Sequence, residues 1–313
     1  MKEIKISFLI AAHNEEKIIA QPLENLLRLP YKNYEVLVGL DGCTDKTEEI
    51  IKRFSRKSKI IKYYKLNIRK GKPAVINTII KKASGDIIII HDADWIFQVK
   101  NKESLKKFIS IFNDKKIGGI SEADALEFEK NKIKSGNLGF RMVAYSSQLW
   151  YKYQKNTFTR KRGNLLYLEE PTMFLTNIFR RTLFKPNVSL GDDFERTKDI
   201  MDRGYKIAIP LDDAPRFIPV YDKVSISDLF RQKIRTAIAR EQLKETRKMP
   251  LPKNYYLSSL FYIFKNSWKY GIKAGLMVSF WIALTTIATI ISKIKSKFKK
   301  IGTREGWTMR AER

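Results

Sequence analysis

The chain has 313 residues, 43% of them hydrophobic, enough to bury a core and too many for a disordered chain. Its 61 Lys and Arg against 33 Asp and Glu give a net charge of +28, a field that favours polyanions such as nucleic acid, anionic lipid or phosphorylated substrates. One cysteine, Cys43, excludes an internal disulfide, and the lack of internal repeats, low-complexity tracts and Cys/His clusters excludes solenoids, tethers and zinc modules.

The N-terminal residues Met1 to Phe8 mix acid and base without a long apolar core, so no secretory leader is expected there and the chain is expected to start in the cytosol. Residues 4–12 read as a buried strand, and Glu15 to Leu29 carries helical spacing through Ile18, Ile19, Leu23, Leu26 and Leu27. Tyr34 to Leu40 is a second strand, followed by a helix capped near Thr44 or Asp45. Residues 60–64 form a third strand, Lys72 to Ala83 a helix, and Asp86 to Ile90 a fourth strand, wholly apolar through its four isoleucines, as expected where helices cover both sheet faces. Ser104 to Phe112 is helical and residues 117–120 make a short fifth strand. This alternation predicts an α/β fold with a mostly parallel sheet, whose ligands sit beyond the carboxyl ends of the strands.

The polar motifs fall at those ends. Strand one runs into His13-Asn14-Glu15-Glu16, strand two into Asp41-Gly42-Cys43-Thr44-Asp45, and strand four into His91-Asp92-Ala93-Asp94. The first loop has no glycines and no Walker lysine motif occurs, so phosphates must be held by metal and side chains. Asp92 and Asp94, two apart in extended chain, would project to one side and offer hard oxygen donors to Mg²⁺ or Mn²⁺, with His91 and Ala93 on the other. An aspartyl-nucleophile phosphohydrolase fits less well: Ile96 stands where Thr or Val is expected, and the motif is on strand four.

Further along, Tyr145 to Tyr153 is an aromatic-rich stretch expected to pack in the core, and Gly191-Asp192-Asp193 opens a helix that needs one aspartate as its cap. A helix starting near Ser227 carries Gln232 and Arg235 on one face and Phe230, Ile234 and Ile238 on another. Ala274 to Ser292 is 19 residues without a charge, just enough to cross a bilayer, with lysines at both ends. Residues 255–313 hold 11 basic residues against 2 acidic, a net of +9 that points to a membrane surface. One full span would put the lysine-rich tail outside, against the positive-inside tendency, whereas a re-entrant or interfacial helix, or a hairpin using Leu257 to Phe264, would not.

Taken in order, Ala11-Ala-His-Asn-Glu-Glu, Asp41-Gly-Cys-Thr-Asp-Lys-Thr, Arg69-Lys-Gly-Lys-Pro, Asp92-Ala-Asp, Gly191-Asp-Asp-Phe-Glu and Gln232-Lys-Ile-Arg235 resemble the family 2 glycosyltransferases with the GT-A fold, over roughly residues 4–240. The resemblance implies a GT-A catalytic domain over 1–225, an interface helix over 226–254 carrying Gln232 and Arg235, and a membrane-associated segment over 255–313. It implies an inverting, metal-dependent transfer of a sugar from a nucleotide-diphosphate donor to a saccharide or lipid-linked acceptor at the cytoplasmic face of the membrane, with no nucleic-acid partner. Asp41 would read the base of a donor, for which uridine diphosphate is favoured. Asn14, Glu15, Lys72 and Asp92 would lie at the nucleotide, and Asp92 with Asp94 would hold Mn²⁺ or Mg²⁺. Asp193 would be the general base, with Gln232 and Arg235 at the diphosphate and acceptor. Thr236 stands where the family's membrane-integrated members have tryptophan, which puts processive elongation in doubt. Two other readings stay open: a polyprenyl-phosphate monosaccharide transferase, and an inactive, basic, membrane-tethered binding or scaffold protein.

Overall fold

The computed structural model describes residues 3–122, 130–171, 176–186, 189–247 and 255–298; the basic tail beyond 298 lies outside them. Four β-branched or apolar runs form parallel strands: β1 (Ile6–Ala12), β2 (Tyr34–Asp41), β3 (Ile61–Leu66) and β4 (Ile87–Asp92). Helices α1 (Ala20–Leu27), α2 (Thr47–Lys57) and α3 (Lys72–Ile79) make the crossovers between them. β1 and β2 are buried almost end to end, so two separate apolar layers form, one on each sheet face. Ile6, Phe8 and Ile10 enter one layer and Leu9 the other, as the two-residue period of a strand requires.

After β4 the chain folds back into β5 (Trp95–Gln98), then α4 (Lys102–Ser110) and β6 (Ile117–Ile120). Short α5 (Lys130–Ser135) precedes the long α6 (Leu138–Phe158), a hairpin of β7 (Thr159–Arg162) and β8 (Leu165–Leu168), and β9 (Ile178–Arg180). Next come α7 (Asp192–Asp202), β10 (Lys206–Pro210), β11 (Arg216–Pro219) and α8 (Ile226–Arg247). The described strands make a nine-stranded sheet in the order β3-β2-β1-β4-β9-β6-β10-β8-β7, with β11 and β5 as a separate pair. β9 runs antiparallel to both β4 and β6, so β6 is parallel to β4 and its carboxyl end opens on the same edge as those of β1, β2 and β4. The expected α/β fold is present, and the antiparallel insertion is what the alternation did not reveal.

Two local expectations change. The first helix begins at Ala20 rather than Glu15, because Glu15 to Ile19 closes a turn in which the Glu15 carbonyl accepts the Ile18 and Ile19 N–H groups (3.0 and 2.9 Å). The Asp-x-Asp pair is not extended: Asp92 ends β4, Ala93 and Asp94 form the turn into β5, and Asp94 is 1% exposed.

Between the first strands sits a buried carboxylate, Glu35, whose Oε1 accepts from Ser7 Oγ (2.8 Å), Ser84 N (2.7 Å) and Ser84 Oγ (2.7 Å) while Oε2 takes Lys62 Nζ (3.1 Å). Burial pushes this acid up and those donors more than reverse it, to about 2.

At the C-terminal end, α9 (Tyr255–Ser267) and α10 (Ile272–Phe298) are joined through Gly271, whose φ of 101° favours glycine. α10 packs along α8, α6 and α9 with one face. Its other face shows Ile272, Leu276, Phe280, Ile287, Ile290 and Ile294 to the outside, α9 adds Leu257, Phe261 and Phe264, and the turn between the two helices adds Trp268. The segment from 255 onward is therefore fastened to the body: Tyr255 is buried in the second core layer, and its hydroxyl accepts from Trp150 Nε1 (3.2 Å) and Gln154 Nε2. The aromatic stretch 145–153 packs as expected, with Leu149 and Tyr151 buried.

Candidate active site

Three loops at the carboxyl edge are laced to one another. His13 Nδ1 meets the Asp41 carbonyl oxygen (2.6 Å), Asn14 Nδ2 donates to Thr44 Oγ1 (3.1 Å) and Asn14 Oδ1 accepts from Thr44 N (2.9 Å). The buried Glu15 has its amide on Thr47 Oγ1 (2.7 Å), and Asp45 accepts from both Glu16 N (3.1 Å) and Thr47 N (3.0 Å), the latter serving the start of α2. Asn14 holds φ at 52°, a left-handed conformation that its short polar side chain tolerates. Gly42 is also left-handed at 62°, and a Cβ there would come within 2.6 Å of the Arg69 backbone nitrogen. The second loop thus presses directly on the third.

Asp41 is what fixes that third loop. Its two oxygens accept the amides of Lys70 (2.6 Å) and Gly71 (2.8 Å), and the carboxylate is 4% exposed. Gly71 then leads into α3, whose first residue, Lys72, reaches back across the edge to Asp92 Oδ1 (2.7 Å). Burial lowers the Lys72 pKa, but the charges of Asp92, Asp192 and Asp193 outweigh it and raise it. Lys72 therefore stays a cation in a ring of carboxylates.

Of the later acidic pair, Asp192 is 4% exposed and bound by Arg196 Nη2 (3.2 Å), a guanidinium also held by the Thr176 carbonyl (2.9 Å). Asp193 is more open and, among the described residues, accepts a local amide, that of Phe194 (2.9 Å). Burial and then the Asp192 charge push its carboxyl up to about 6, against the pull of Lys72 and Arg196. Neither aspartate is the expected cap; Gly191 holds that position without a side-chain bond. One aspartate is a structural anion and the other a basic carboxylate.

Glu122, two residues beyond β6, belongs to the same edge and went unnoticed in the sequence. Burial and the nearby Asp92 and Asp193 raise its carboxyl to about 8, although Asn177 hydrogen-bonds to it. The strand-end rule already applied to the other strands would have found it. His91 lies on the far side, between Phe8 and Phe217, and burial lowers it to about 4.

The structure therefore brings Lys72, Asp92, Asp192, Asp193 and Glu122 into electrostatic range, while Asn14, Glu15 and Asp41 build the loops around them. Gln232 and Arg235 stand on α8. Arg235 is two turns before Gln242, on the face whose Gln242 Oε1 accepts the Leu190 N–H (3.0 Å), next to the turn that carries Asp192 and Asp193. The Phe230, Ile234 and Ile238 stripe packs on Leu190 and Ala288, as its spacing predicts.

A divalent cation fits this set of groups. Asp92 and Asp94 would supply the hard oxygens; the raised carboxyls of Asp193 and Glu122 owe most to burial, with neighbouring carboxylates adding to it. Mg²⁺ in such sites needs only one or two carboxylates, because substrate phosphates and waters complete its shell.

Comparison with known proteins agrees with the geometry. Residues 7–183 match the family model described as "Glycosyl transferase family 2". Over 129 residues the chain is 34% identical to "Probable glycosyltransferase YdaM" of Bacillus subtilis, covering 38% of this chain and 30% of that protein. Over 154 residues it is 29% identical to the beta-monoglucosyldiacylglycerol synthase of Nostoc sp., covering 48% and 32%. The matched stretch thus spans about a third of those relatives' length. In structure, the chain resembles the mannosyltransferase PcManGT from Pyrobaculum calidifontis, solved with GDP-Man and Mn²⁺, with a TM-score of 0.56 and 20% identity over 98% of this chain and 84% of that one.

Proposed function

The chain belongs to glycosyl transferase family 2 and has its GT-A fold, and from that premise we propose that it moves a sugar from a nucleoside-diphosphate donor to an acceptor hydroxyl at a membrane surface, with inversion at the anomeric carbon. The observation that carries the proposal is the meeting of Lys72, Asp92 and Asp193 at one sheet edge, a cation for the diphosphate opposite a carboxylate for the acceptor proton.

In this reading Lys72 exchanges Asp92 for the donor phosphates. Asp92 and Asp94 would hold Mn²⁺ or Mg²⁺, which when bound supplies charge neutralisation for the departing diphosphate. Asp193 takes the acceptor proton. Its elevated basicity suits that task, because a general base works best with a pKa near the working pH. Asp192, tied to Arg196, holds the neighbouring turn and raises Asp193. Gln232 and Arg235 are proposed to meet the diphosphate and acceptor from α8. Inversion follows from one base and no second nucleophile in this assignment.

The donor proposed is a uridine-diphosphate sugar, on family resemblance. Asp41 would act mainly by shaping the loop, since both its oxygens already accept backbone amides. The 255–298 helices would seat the enzyme on the cytoplasmic face of the cell membrane, α10 containing a 23-residue stretch from Ile272 to Ile294 that is long and apolar enough to cross a membrane by length and composition. Isothermal titration of UDP- and GDP-sugars, with and without Mn²⁺, tests the reading. Metal-dependent binding of one donor and release of its nucleoside diphosphate are expected. Failure to bind any nucleotide sugar would sink it.

A further inference from the structure

Arg196 is 3% exposed, and a guanidinium so far from water needs acceptors around it. Its Nη2 donates to Asp192 Oδ2 (3.2 Å), one turn earlier on α7, at the spacing that lets two side chains meet on a helix. Its Nη1 donates to the Thr176 carbonyl oxygen (2.9 Å) and to Asn177 Oδ1 (3.2 Å). The guanidinium also lies 5.1 Å over the ring of Phe179, in β9. One side chain of α7 thus grips both its own first turn and the segment leading into β9.

The next residue fastens the same two pieces. Thr197 Oγ1 donates to the Asp193 carbonyl oxygen (3.1 Å) and meets Thr176 Oγ1 (2.8 Å), and both threonines are buried. From residues 176–177 the ties run on across the sheet edge. The Asn177 carbonyl accepts the Ile90 N–H (2.9 Å), two residues before Asp92, and the Asn177 side chain hydrogen-bonds Glu122 beyond β6. The turn that carries Asp193 is therefore joined, through Arg196 and Thr197, to the ends of β4 and β6.

We infer that Arg196 is the positioning residue of the base: it locks Asp192 into an ion pair and seats the Asp193 turn against the ends of β4 and β6, so that Asp193 is the carboxylate of the pair presented to the acceptor. This rests on the transferase reading above. Among the described residues, the charges that act on Asp193 are Asp192 and Arg196 from its own helix, Lys72 from α3 and Glu122 beyond β6. Arg196 brings two separable things to this turn, a positive charge and a fork that spans three acceptors. Only the fork needs a guanidinium.

Carboxyl carbon NMR on the full chain in detergent reads the Asp193 titration directly, its signal assigned by loss in Asp193→Asn. Asp192→Asn should lower that titration by about half a pH unit or more, because it removes a neighbouring anion and leaves Arg196 in place. Adding Arg196→Met to it removes the cation too, and should bring the titration back up by about as much. With both charges of the buried pair gone, this double variant leaves neither one unpaired. Its 191–194 amides should nevertheless exchange about tenfold faster, and its kcat should fall about tenfold or more while donor KM stays within about threefold. Arg196→Lys should hold the titration near that of the unaltered chain yet lose kcat in the same way, since an ammonium cannot span the three acceptors. A titration that does not move between the variants, or full turnover with unchanged exchange in the double variant, would overturn the inference. Release of nucleoside diphosphate by the unaltered chain, measured in parallel, separates the two ideas. Release with unmoved titration and exchange removes the role of Arg196 and leaves the transferase. No release from any donor removes the transferase, while titration and exchange still decide what Arg196 does to the turn.

Discussion

Asp192 and Asp193 are adjacent in the chain but differ in surroundings, since among the described residues it is Asp192 that pairs with the Arg196 guanidinium. With Asp193 pushed up to about 6, its basic form is lost as pH falls through that value. We therefore expect kcat/KM to level off above about pH 7 and to drop about tenfold per pH unit below about pH 5, with Asp193→Asn costing about 10²–10⁴-fold. A pH profile flat down to pH 4 would remove Asp193 as the base. Glu122 gives the opposite expectation. Raised to about 8, it is mostly protonated at neutral pH, so Glu122→Gln should hold turnover within a few fold at pH 7, and a hundredfold loss would show that its charge is needed. The sequence marked the strand ends and the acidic pair, because those signals are local. It could not show that Lys72 meets Asp92 or that Arg196 takes Asp192, since these depend on which rotamers the packed edge permits.

The helices and strands divide in the same way. The βα half was legible because each element carries its own periodicity and the crossovers follow from chirality. Strands β7 to β11 were not, since they run to three to five residues of irregular polarity and most take their place from distant partners such as Ala208 with Tyr167. The 19-residue apolar run was plain, but its packing on α8 was hidden, because hydropathy names no partner. One close approach at this scale gives a test. Asn137 caps α6 through Phe140 N (3.0 Å) and bonds both the N–H and the carbonyl of Val224 (3.0 Å each), and a Cβ on Gly139 would lie 2.2 Å from that carbonyl oxygen. Gly139→Ala should therefore cost about 1–3 kcal/mol, read as a lower denaturant midpoint at constant slope. An unchanged midpoint would mean that α6 and the 224 turn separate easily.

For the molecule as a whole, a net charge of +28 and the apolar stripes of α9 and α10 both favour a membrane, but they respond differently to salt. Charge attraction fades in about 1 M salt, where the screening length is about 3 Å, while apolar burial does not. On vesicles containing anionic lipid, the protein should stay bound in about 1 M sodium chloride and come off only in detergent. Release by salt alone would reduce the outer stripes to ordinary surface. The fastening of Tyr255 into the second core layer also predicts that removing everything after residue 254 disturbs the catalytic body, rather than trimming an appendage.

The Glu35 knot carries a consequence for motion. Ser84 and Gly85 lie outside every helix and strand, where amides ordinarily trade their hydrogens with solvent within seconds to minutes. Here the Ser84 amide donates to Glu35 (2.7 Å) and the Gly85 amide to Ser7 Oγ (2.9 Å), itself bonded to the same carboxylate. Freeing either hydrogen means pulling apart the β1–β2 pair with the loop before β4. In deuterium exchange these two loop amides should keep pace with the slowest strand amides, so that the β1–β2–β4 unit opens as one.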